Sequence, residues 1–100
     1  MIERLVDEII ERYEALSGQL ADPAIFAEPG RFAEVSKAHA DLQEAYDLAR
    51  EFAAAQAALV DAETLMAEGG LDAEMKEYLS DEKAAARETM ARLEDAIRVA

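Results

Sequence analysis

Cysteine is absent from the sequence, which excludes a disulfide framework, a thiolate zinc site and a cysteine nucleophile together. Histidine occurs once, as His39, and three positions before it stands Ser36. The Glu-x-x-His pairing that bundle di-metal sites use is therefore missing, and no metal is expected. Glycine is confined to Gly18, Gly30, Gly69 and Gly70, and neither G-x-G-x-x-G nor G-x-x-x-x-G-K-[ST] occurs, so no nucleotide cofactor is expected. Ser17, Ser36 and Ser80 are the serines, and none sits in a G-x-S-x-G setting. No catalytic residue is expected. No apolar run approaches the ~18 residues a membrane span requires. Met1 leads straight into acidic amphipathic sequence without a basic segment before an apolar one, and the expected location is the cytoplasm.

Basic side chains are scarce as well. Ten lysines and arginines face 23 acidic residues, for a net charge of -13 and an isoelectric point near 4.3. That balance opposes broad attraction to phosphate backbones and anionic lipid, which excludes DNA, membranes and any RNA-binding mode resting on bulk charge.

Hydrophobic residues make up 52% of the chain, but 23 of them are alanine. The remainder supports one small domain, residues 1–100. From Ile2 to Leu20 the large apolar residues Ile2, Leu5, Val6, Ile9, Ile10, Tyr13, Leu16 and Leu20 fall within roughly 140° of a helical wheel, predicting an amphipathic helix over about 2–20. Residues 21–30 read as a packed connection, with Asp22 capping, Pro23 opening a turn and Ile25 and Phe26 as anchors. Pro29 and Gly30 close it, although Pro29 is equally able to open the next helix.

Arg31 to Ala67 contains no glycine or proline and predicts one helix of roughly 55 Å at ~1.5 Å per residue. Its seam runs through Val35, Ala38, Leu42, Ala45, Ala49 and Phe52, then drifts to Ala55, Leu59, Ala62 and Met66, as a seven-residue repeat must on a straight helix. Gly69-Gly70 is a strong stop, giving a turn over 68–71. Asp72 is a candidate N-cap for a third helix over about 72–98, whose stripe is Met75, Leu79, Ala86, Met90, Leu93 and Ile97. Ser80-Asp81-Glu82 is its one weak point, where Ser80 can cap a new helix and kink the chain. The expected fold is all-α: an elongated three-helix domain built on a long antiparallel helical hairpin.

Within this acidic chain Lys76, Lys83, Arg87 and Arg98 lie inside ~60° of the third helix, beside its apolar seam. Two readings compete. In one, their methylenes cover the seam and their charges pair with neighbouring carboxylates; in the other, they form a local contact to RNA or an acidic partner. Tyr13, Phe32, Tyr46, Phe52 and Tyr78 read mainly as core or half-buried packing.

Four segments occur in a telling order: Arg12-Tyr13-Glu14-Ala15-Leu16, Leu20-Ala21-Asp22-Pro23, Arg31-Phe32-Ala33-Glu34-Val35-Ser36-Lys37 and Asp72-Ala73-Glu74-Met75. Taken together, from about Leu5 to about Ile97, the chain resembles the N-terminal helical domain of bacterial-type class I peptide chain release factors of the release factor 1 kind. It departs from the family at Ala38-His39-Ala40, where Glu-Tyr-Ala is usual. The resemblance implies a domain that docks the factor at the stalk base of the large ribosomal subunit, against its protein and ribosomal RNA, and that faces a recycling GTPase. The catalytic Gly-Gly-Gln and the codon-reading Pro-x-Thr or Ser-Pro-Phe tripeptides of that family do not occur in these residues, so peptidyl-tRNA hydrolysis is expected of the parent factor and not of this chain alone. The basic stripe and the end near Gly69-Gly70 are then the regions to test for contact. The alternative is a stand-alone coiled-coil adaptor that forms a homodimer through its alanine-rich seam.

Overall fold

The computed structural model describes residues 2–100, and every regular element among them is helical. Helix α1 spans Glu3–Ala21, α2 spans Pro29–Glu68 and α3 spans Ala73–Val99, with one short 3-10 helix, Pro23–Ala27, between α1 and α2. By its contacts the chain divides into two compact units, one made of the residues up to Arg50 together with Ala100, the other of Glu51–Val99. Helix α2 contributes to both.

In the first unit the connection between α1 and α2 is fixed by capping. The Asp22 side chain accepts the Ala24 N–H at 3.0 Å, and Pro23 supplies a pre-set φ at the start of the 3-10 turn. Leu16 of α1, Ile25 of the turn and Val35 of α2 are buried together, with Leu20, Ala38 and Leu42 packed on them. Burial of each large aliphatic side chain contributes about 1.5–3 kcal/mol relative to leaving it in water. Helix α2 begins at Pro29, so Pro29-Gly30 opens the helix and does not close the connection. Proline suits a first turn because its missing N–H has no intrahelical partner there, and the Glu28 carbonyl accepts the next N–H groups, from Arg31 at 2.9 Å and Phe32 at 3.2 Å.

The second unit is a helical hairpin of the later part of α2 and α3. Gly69 and Gly70 turn the chain at φ of 76° and 75°, a left-handed conformation that glycine adopts without steric cost. Asp72 then caps α3, its carboxylate accepting the Met75 N–H at 2.8 Å and its carbonyl the Lys76 N–H at 3.0 Å. Phe52 and Ala62 on α2, and Leu79, Ala86, Leu93 and Ile97 on α3, are buried. Helix α3 runs without a break through Ser80, Asp81 and Glu82. No helix among the described residues is long and apolar enough to cross a membrane.

Candidate partner-contact surface

Helix α3 sets the basic side chains in a line, because residues spaced by seven or eleven return to nearly the same side of a helix. The line is long: Lys76 and Arg98 lie ~33 Å apart along the axis at ~1.5 Å per residue. The structure does not treat the four alike. Arg98 is taken up within its own helix, its guanidinium 2.6 Å from Glu94 and 3.8 Å from Asp95. Arg87 reaches the facing helix, 3.5 Å from Glu63. Lys76, which is exposed, and Lys83, which is half-buried, make no ion pair among the described residues. Within the stripe, the cations without an ion pair among the described residues are therefore the two lysines of its first part, nearest the Gly69-Gly70 turn. Ion pairs as exposed as those of Arg87 and Arg98 contribute at most about 1 kcal/mol, so a stronger partner can draw either arginine away.

Apolar side chains also stand exposed near that turn. Leu65, Met75 and Tyr78 keep 46%, 44% and 57% of their surface in water. An open cleft of about 370 Å³ is lined by Asp72, Glu74, Met75 and Tyr78. Tyr78 also borders a second cleft of about 230 Å³ between α2 and α3. Met75 belongs to the α3 stripe by spacing but escapes burial, lying in the first turn of α3 on the wall of the open cleft. The seam pattern alone does not reveal this; the signal is its position, two residues past the start of the helix. Phe26 differs in the same way. Of the two anchors expected in the connection, Ile25 is buried and Phe26 is 65% exposed, its ring tilted against Phe32 at 5.1 Å.

His39 takes a structural role. Its Nε2 lies 2.8 Å from the Ser17 Oγ, and its ring stacks on Tyr13 at 4.2 Å; Tyr13 also stacks on Tyr46, at 3.9 Å. Nearby on the surface of α2, hydrogen bonding to Asp41 at 2.9 Å and the charge of that carboxylate hold the Lys37 ammonium above the ordinary lysine range. Among the described residues no group of histidines and carboxylates is arranged to hold a metal ion.

The family model described as the PCRF domain matches residues 9–100. Peptide chain release factor 1 of Lactococcus lactis subsp. cremoris (strain MG1363) is 35% identical over 94 residues, covering 94% of this chain and 26% of that protein. The protein of the same name from Bacillus subtilis (strain 168) is 39% identical over 82 residues, covering 82% of this chain and 22% of that protein. That from Bacillus licheniformis is 34% identical over 99 residues, covering 99% and 27%. The chain thus spans about a quarter of the length of the curated relatives it matches. No solved structure matches it. With a family match over 9–100 and an all-helical hairpin fold, the chain belongs to the PCRF domain family of the peptide chain release factors.

Proposed function

We propose that residues 1–100 act as one helical docking domain of a translation termination factor. The observation that carries this reading is the similarity to peptide chain release factor 1 along nearly the whole chain. In this account the domain binds the large ribosomal subunit near the stalk base, touching protein and ribosomal RNA, in the cytoplasm where ribosomes work. It also faces the GTPase that recycles the factor. It hydrolyses nothing itself; peptidyl-tRNA hydrolysis belongs to a Gly-Gly-Gln element, and these residues carry none. Lys76 and Lys83 make the first contact, since no ion pair within the described residues occupies them. Arg87 and Arg98 extend the surface by exchanging their exposed carboxylate partners for the ribosome's anionic groups. An acidic body with a narrow cationic line suits such a role, because it meets one place on an RNA-rich particle and is repelled elsewhere.

The test is co-sedimentation of the chain with large ribosomal subunits at several salt concentrations. Lys76→Glu combined with Lys83→Glu is expected to weaken binding by roughly tenfold or more and to flatten its salt dependence, as loss of one or two phosphate contacts does. Binding unchanged in that variant would remove the stripe from the account.

A further inference from the structure

We infer that the hairpin face bearing Tyr78 is a docking groove for a cationic amphipathic helix of another protein. The face is apolar where a soluble hairpin has no need of it: Leu65, Met75 and Tyr78 are each more than two-fifths exposed and lie at the same end of the hairpin. Tyr78 is the shared wall of two clefts of about 370 and 230 Å³. Ala58 and Ala62, which line the smaller one, leave depth where larger residues would fill it. Two shallow clefts side by side accept successive knobs from one ridge of a helix, spaced three or four residues apart.

Charge names the occupant. Asp72 and Glu74 border the first cleft, Asp61 and Glu82 the second, and no lysine or arginine lines either. An apolar floor edged by four carboxylates complements a helix with leucine-like residues on one side and lysine or arginine on its flanks. An anionic ligand is repelled by the same edge. A second copy of this chain is disfavoured, because a two-fold contact sets the same four carboxylates against themselves and each copy brings a net charge of -13. The groove is also distinct from the lysine stripe, since Tyr78 is two positions beyond Lys76 and so ~160° around α3. The inference does not rest on ribosome binding by that stripe.

The experiment is fluorescence anisotropy with a labelled peptide of leucines and lysines placed at helical spacing, against a scrambled peptide of the same composition and charge. The whole 100-residue chain is expected to bind the amphipathic peptide at least about tenfold more tightly than the scrambled one. Tyr78→Ala with Leu65→Ala should remove that tenfold preference, the size of a hot-spot loss. Glu11→Gln with Glu14→Gln, on exposed positions of α1, should leave the preference intact. Both altered apolar positions are exposed, and circular dichroism is the check that each variant remains folded. Equal binding of the two peptides, or a preference that survives the Tyr78 and Leu65 changes, overturns the inference. So does a dimer in light scattering that disappears on Tyr78→Ala, which would assign the face to a second copy. None of these outcomes alters the result expected for Lys76 and Lys83 with ribosomal subunits.

Discussion

Tyr13 is only half-buried, yet both of its ring faces are in use, one against His39 and the other against Tyr46. Offset aromatic pairs contribute about 0.5–1.5 kcal/mol each beyond their area, so truncating Tyr13 removes two such contacts and the apolar surface of its ring. Tyr13→Ala is expected to cost about 2–3 kcal/mol in urea unfolding. His39→Ala removes one stack and the contact with Ser17, and about 1 kcal/mol is expected. The double variant should lose less than the sum, because both single changes delete the same stack. None of this is legible from local spacing: Tyr13 and His39 are both placed beside an apolar seam by periodicity, but their meeting depends on the register between α1 and α2. Ser17 likewise becomes a partner only through that register.

The glycines separate two effects within single elements. Gly18 lies inside α1 with nothing within 4 Å of where a Cβ would stand, whereas Gly69 and Gly70 hold φ of +76° and +75°. Gly18→Ala is expected to add about 0.5–1 kcal/mol by restricting the unfolded chain. Gly70→Ala should cost about 1–2 kcal/mol because a Cβ opposes the left-handed turn. Thermal melting should therefore move in opposite directions for the two. The helical nature of all three segments is legible because α-helix leaves a 3.6-residue apolar rhythm, and the buried positions Val35, Ala45, Ala49, Phe52, Leu79, Ala86, Leu93 and Ile97 keep it. Ends are less legible. Pro29 fits both the close of a connection and the first turn of a helix, and only the acceptor geometry at Glu28 decides between them. Leu5 follows the α1 rhythm and is nevertheless 42% exposed, since periodicity describes a helix face and not the width of what covers it. The common side of Lys76, Lys83, Arg87 and Arg98 follows from helix geometry alone. The pairing of Arg98 with Glu94 follows from the same geometry, but that of Arg87 does not, because its partner is Glu63 on another helix.

For the whole molecule the governing quantity is the net charge of -13. Exposed pairs such as Lys37 with Asp41 and Arg4 with Glu8 offset little of the mutual repulsion of the carboxylates. Raising salt from 0.01 to 0.1 M shortens the screening length from about 30 to about 10 Å. The midpoint of thermal unfolding is then expected to rise by several degrees, about 4–8 °C for each kcal/mol of repulsion relieved. The same salt should weaken attachment to ribosomal subunits, so stability and binding respond with opposite signs. The tyrosine stack has an optical consequence too. The chain has three tyrosines and no tryptophan, and two of the three, Tyr13 and Tyr46, lie with ring centres 3.9 Å apart. Chromophores that close share their excitation, so one coupled pair is expected to dominate the near-ultraviolet dichroism of this chain, giving it its own spectroscopic gauge of whether α1 is seated on α2.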